Sequence, residues 1–179
     1  ECQSLLAAAR HARGQLLVGH VCRFDPRVTL AKQAIDAGRI GRLVSLHAKR
    51  NLPMAPGSIR LDKISPLMGD GIHDADLMMW FLNAAPTRVF ARQVRVDQFA
   101  FADIGWAMLE FGDQAIGVVE TNWRLPAHTP TTITLRGTNN QTTLLNRADI
   151  DVLQAMDTSI MPDGLIQQPA GISAHVPDQ

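Results

Sequence analysis

The chain has 179 residues, enough for one ordinary domain with a substantial core. Apolar residues make up 46% and charged residues 19%, a globular rather than a disordered composition. Lysine plus arginine and aspartate plus glutamate each total 17, so the basic excess of a nucleic-acid binder is missing, as is any electrostatic pull toward an anionic membrane.

In chain order, residues 3–13, "QSLLAAARHAR", are expected to be helical, with Leu5, Leu6, Ala9 and Ala12 on one face and Gly14 closing the end. "QLLVGHV", 15–21, reads as a short buried strand, and "CRFDP" as a loop. Pro26 suits a first helical turn with Asp25 as its N-cap, and that helix is expected to run to about Ala37, burying Val28, Ala31 and Ile35. "RLVSLHAKR" follows as a strand that alternates Leu43, Ser45, His47 and Lys49 against Val44, Leu46 and Ala48. Residues 51–69 show no period and carry three prolines and two glycines; a loop of that length in a compact domain is usually functional or mobile.

A helix is expected from near Asp70 to near Asn83, with Asp70 as N-cap and an apolar face of Ile72, Ala75, Met79 and Leu82 widened by Leu77 and Trp80. After Pro86, "TRVFARQVRV", "DIGWAMLEF", "QAIGVVETNW", "PTTITLRG" and "QTTLL" read as strands separated by turn signals, which implies an antiparallel meander. Residues 154–179 are Pro/Gly-rich and weakly patterned. The fold class these elements predict is α+β: an open-faced, mostly antiparallel sheet with helices on one side.

The apolar runs are too short to span a bilayer, and the chain opens on the polar "ECQS" without a leader-like segment. It also opens without a methionine, so an upstream portion is expected. The cysteines, Cys2 and Cys22, are too few and too far apart for a CxxC metal site or a disulfide framework; a reduced, cytoplasmic setting is the simplest expectation, and a single bridge between them stays open.

Chemistry concentrates in "GDGIHDADLMMW", residues 69–80. Capping and the helix macrodipole account for Asp70, Asp74 and Asp76. His73 is left, readable as a capped core histidine, a metal ligand or an acid/base group. It stands in the first turn beside the long loop, with Asp70 three residues before it and Asp76 three after, either able to orient the imidazole. No second histidine lies at ligating spacing, so no metal is expected. A second polar cluster, "GHVCRFDP", brings His20 and Arg23 to the carboxyl end of the expected strand, where ligands bind in open α/β sheets; Arg23 could hold a phosphate or carboxylate through its fork.

"LLVGHVCRFDP", "IDAGRIGRLVSLHAKRN", "GDGIHDADLMMWF" and "MLEFGDQAIGVVETNWRLP", in this order and spacing over roughly residues 1–145, resemble the Gfo/Idh/MocA oxidoreductases. The resemblance implies an N-terminal Rossmann domain followed by an α/β domain on a large open sheet. Residues 1–21 would be the last helix and strand of a largely absent Rossmann domain, and 22–179 the substrate-binding and oligomerisation domain. No GxGxxG occurs in the chain, and the family's Glu-Lys-Pro motif would fall upstream of Glu1. His73 matches the family's active-site histidine. Arg23 and Phe24 match the segment that crosses near the nicotinamide, Asp70, Arg23 and His20 are the substrate-binding candidates, and Asp76 matches a structural helix aspartate. Many members carry aspartate four positions before the histidine; here that position is Gly69, with Asp70 one residue on.

The activity implied is NAD- or NADP-dependent oxidation or reduction of a secondary alcohol on a sugar, cyclitol or related small molecule, by a homodimer or tetramer paired through the sheet face. The alternatives are a non-catalytic member that binds a partner through the sheet, and a sugar hydrolase assisted by nicotinamide.

Overall fold

The computed structural model of the chain describes residues 2–54, 60–126, 128–139 and 142–146; the Pro/Gly-rich stretch 154–179 lies outside them. Among the described residues the helices include α1 (Cys2–His11), α2 (Pro26–Asp36) and α3 (Ile72–Leu82), the last preceded by a π-helical turn at Leu67–Gly71. The strands are β1 (Leu43–Pro53), β2 (Arg88–Val94), β3 (Ile104–Phe111), β4 (Ala115–Leu125), β5 (Thr132–Gly137) and β6 (Thr142–Asn146).

The strands form one six-stranded sheet in the order β2-β3-β4-β1-β5-β6. The expected simple meander is corrected here. β2, β3 and β4 pair antiparallel in sequence, but β1 inserts between β4 and β5, parallel to the first and antiparallel to the second. The physical reason is burial: Leu46, Ala48 and Arg50 are almost sealed from solvent, and a central strand accommodates that better than an edge. The sheet remains mostly antiparallel, as expected.

Alternation assigns the two faces. Leu46 and Ala48 of β1, Val119 and Trp123 of β4, Leu109 and Phe111 of β3, and Ile133 and Leu135 of β5 point to the core. Against them lie Val28 and Ala31 of α2 and Leu77, Met78, Phe81 and Leu82 of α3. Each such side chain, fully buried, contributes about 1.5–3 kcal/mol. The α3 face is therefore rotated from the one expected: Asp74, Leu77, Met78, Phe81 and Leu82 are buried, whereas Ile72 is 45% exposed. The helix sits so close to the sheet that a Cβ at Gly117 would lie 2.6 Å from Met78 Sδ.

Asp25 caps α2, accepting from Arg27 N–H at 2.9 Å with Pro26 in the first turn. α3 ends on Asn83 in the left-handed region, φ 50°. Its start differs from expectation. The chain turns helical before α3, with Gly69 N–H donating to Ser65 O at 2.8 Å, so Asp70 lies inside the π-helical turn and is not the N-cap. Part of the expected 51–69 loop is thereby structured: β1 extends through Pro53 and the helical path begins before Leu67.

The expected strand at 15–21 does not form. Residues 15–20 take no regular structure, Leu17 and Val18 are 68% and 71% exposed, and Val21–Phe24 is a single 3₁₀ turn. A strand needs a neighbour for its backbone donors and acceptors, and among the described residues none pairs with this segment. Leu5 and Leu6 of α1 are likewise exposed, at 55% and 54%. Among the described residues no helix is long and apolar enough to cross a membrane.

Candidate functional site

The site is built around the front of α3, where three aspartates each hold a different element. Asp74, one helical turn before Met78 on the core face, accepts from Arg50 of β1 through Nε at 2.8 Å and Nη2 at 2.7 Å. Both side chains are almost fully buried, 5% and 1% exposed. Burial alone would lower the Arg50 pKa, but the paired bonds to Asp74 outweigh it and raise the value. Nη2 also faces Cys22 Sγ at 3.8 Å, tying the 3₁₀ turn to the same arginine.

Asp76 accepts from Arg23 through Nε at 2.8 Å and Nη2 at 2.5 Å. His20 Nε2 stands 3.5 Å from the same carboxylate. The hydrogen bond to Asp76 raises the Arg23 pKa, and the guanidinium also lies 5.7 Å from the centroid of Trp80 on the next turn of α3. Asp70 Oδ2 accepts from the indole Nε1 of Trp123 at 2.7 Å, across from β4.

His73 stands among these pairs and joins none of them. The two carboxylates expected to orient it are engaged elsewhere, Asp70 by Trp123 and Asp76 by Arg23. Its Nδ1 is buried without a hydrogen-bond partner, although the residue as a whole is only half-buried. Desolvation pushes the imidazole pKa below 6.5, and the charge of Arg50 lowers it further; Asp70 and Asp74 oppose this, and His20 adds to it. These surroundings favour the neutral form of the His73 imidazole. That is the state a base or proton relay requires.

The sequence-predicted residues fall together. His20, Arg23, Asp70 and His73 all belong to one electrostatic cluster, and Phe24, at the end of the 3₁₀ turn, presents a ring that is 40% exposed. Two of the Arg23 donors are spent on Asp76, although the Arg23 side chain stays about as exposed as Phe24. Among the described residues no group of three or more His, Cys, Asp or Glu is gathered as a metal site would need.

Arg50 and Trp123 were missed, and Arg50 left a signal. In the alternation of β1, Arg50 continues the core-facing series Leu46, Ala48. An arginine at such a position needs a buried anion, and Asp74, three residues before Leu77, sits on the matching helix face.

An open six-stranded sheet, helices on one face and a histidine at the front of the covering helix define an α+β domain. The family model described as the GFO/IDH/MocA C-terminal domain matches residues 28–142. The chain belongs to the Gfo/Idh/MocA family. It is 33% identical over 116 residues to an inositol 2-dehydrogenase of Saccharopolyspora erythraea, covering 64% of this chain and 31% of that protein. It is 29% identical over 104 residues to an inositol 2-dehydrogenase of Rhizobium meliloti, covering 58% and 32%. The chain thus spans about a third of the length of the curated relatives it matches. Among solved structures, a probable dehydrogenase of Thermotoga maritima shares the fold with a TM-score of 0.71 at 21% identity, over 80% of this chain and 45% of that one. The WlbA dehydrogenase of Bordetella pertussis, solved with NADH and UDP-GlcNAcA, does so with a TM-score of 0.66 at 22% identity, over 75% and 45%.

Proposed function

We propose that this chain is the substrate-binding domain of a nicotinamide-dependent oxidoreductase that acts on a secondary alcohol of a cyclitol or sugar. The observation that carries the reading is His73: an imidazole whose pKa is held below its usual value by burial and by Arg50, at the front of a helix clamped to β1 and to the 3₁₀ turn. The relatives named inositol 2-dehydrogenase support the substrate class.

In this reading a substrate hydroxyl donates to the His73 imidazole, which takes its proton as the carbonyl forms and returns it in the reverse direction. Asp70 accepts a second hydroxyl and fixes the ring of the substrate. Arg23 acts through Asp76, fixing the 3₁₀ turn so that Phe24 borders the cofactor. A bound NAD or NADP supplies the hydride acceptor. The chain has no GxGxxG, so we assign the nucleotide to a Rossmann half of which residues 1–21 are the end; the exposed Leu5, Leu6, Leu17 and Val18 suit burial against such a neighbour.

The outer sheet face is read as the contact with a second copy of the chain. Phe90, Val94, Trp106, Met108 and Ile116 are exposed on it. Beside them His47 Nε2 and Glu120 Oε2, 3.8 Å apart, are both buried with no hydrogen-bond partner. A facing surface would cover the exposed set.

The test is turnover by the full-length protein of myo-inositol, scyllo-inositol and D-glucose with NAD⁺ and with NADP⁺. Reduction of a nicotinamide by at least one polyol is expected; turnover of none would overturn the reading.

A further inference from the structure

The Trp123 indole is a fully buried side chain of β4 that reaches the turn before α3. It is 0% exposed, and its Nε1 donates to Asp70 Oδ2 at 2.7 Å. The turn it meets is shaped to receive it. A Cβ at Gly69 would lie 3.2 Å from both Cζ2 and Cη2 of the ring and 3.5 Å from Ile64 Cγ2, so the ring edge occupies the space a side chain at 69 would need. The same turn is π-helical, which changes the direction in which Asp70 leaves the helix relative to His73. Ring and turn are complementary at two adjacent residues, one by its missing side chain and one by its carboxylate.

That leaves Asp70 half-used. Its Oδ2 is held by the indole, while Oδ1 accepts no hydrogen bond from any described residue. The carboxylate is close enough to raise the His73 pKa by its charge. A charge-assisted bond to a buried, rigid ring fixes the direction of the remaining oxygen far better than a mobile side chain would.

We infer that Trp123 is a positioning residue: it aims Asp70 Oδ1 at a second hydroxyl of the polyol whose first hydroxyl meets His73. The inference rests on the polyol oxidoreductase reading above. It makes the Trp123–Asp70 pair a determinant of affinity for substrates with more than one hydroxyl, and it predicts little effect on the proton transfer itself.

The experiment is a double-mutant cycle in the full-length enzyme, with Trp123→Phe, Asp70→Asn and the double variant, assayed with myo-inositol. Trp123→Phe keeps the ring and removes the N–H. The expected result is a KM raised about tenfold for each single variant, with kcat within about twofold for Trp123→Phe, which keeps the Asp70 charge beside His73, and no further rise of KM in the double variant, because the two residues act as one unit. Multiplying effects in the double variant, or a lowered melting temperature with KM unchanged, would show that Trp123 only packs and would overturn the inference. Failure of the wild type to oxidise any of the three polyols would instead bring down the functional reading, and this inference with it.

Discussion

Arg50 and Asp74 form a fully enclosed two-bond ion pair that fastens the helix carrying His73 to the central strand of the sheet. His73 is the residue before Asp74, so the pair fixes the backbone on which the imidazole stands. The arrangement places strength and chemistry on neighbouring residues of one helical turn.

Removing one partner leaves the other charged and sealed. Asp74→Ala is expected to destabilise the protein by about 3–5 kcal/mol. Arg50→Met with Asp74→Leu, which removes both charges, is expected to cost less than either single change. Urea denaturation of the three variants measures this, and an Asp74→Ala loss below about 1 kcal/mol would contradict the buried pairing.

The turn between α2 and β1 packs against the end of β5 without room for a methyl group. A Cβ at Gly137 would meet Ile40 O at 1.7 Å and Ile40 C at 2.7 Å, backbone atoms that cannot rotate away. Gly137→Ala is expected to cost on the order of 4 kcal/mol or to prevent folding, because the added methyl collides with the Ile40 backbone. A soluble variant with an unshifted thermal transition would refute the packing described.

Acid should weaken the fold through its histidines. Desolvation lowers the pKa of His47, helped by Lys49 and Arg136 against Glu120, and desolvation with Arg50 lowers that of His73. A folded pKa below the unfolded value of 6.5 means the unfolded chain binds more protons in that window. The stabilisation of these neutral forms is complete above pH 6.5 and is lost as the pH falls below it. Replacing both histidines by glutamine should flatten the dependence of unfolding free energy on pH between neutrality and mild acid; an unchanged slope would exclude them as its source.

The outer sheet face gives a prediction for assembly. A two-fold dimer at micromolar concentration is expected, and Trp106→Glu with Phe90→Arg should make it monomeric without unfolding it. Sedimentation velocity decides between them, and a wild-type monomer would rule out the contact.

The strands after Pro86, the Asp25 cap and the Asn83 stop were legible because each rests on local chemistry: alternation, a side-chain acceptor two residues from a free amide, a left-handed residue. The position of β1 was not, since nothing local in "RLVSLHAKR" tells a strand that it will be paired on both sides. The segment 15–21 has the composition of a strand but no neighbour among the described residues, and composition cannot supply one. Within the candidate site, residue type and spacing single out His20, Arg23, Asp70 and His73, and the fold brings these side chains near one another. The partners of the aspartates were not legible. Local capping rules explained them adequately, while the pairs that form reach 24 residues back to Arg50 and 53 residues, back to Arg23 and on to Trp123. An arginine in the core register of β1 was the one local sign of such a pair.

The central claim is that neutral His73 takes the hydroxyl proton. Its most direct test is the rate of polyol oxidation by His73→Ala in the full-length enzyme, with the fold checked by circular dichroism. The expected result is a fall in kcat of about 10²–10⁴-fold in a folded protein, the usual worth of a positioned acid/base group. A folded variant that oxidises the polyol at the wild-type rate would contradict the account.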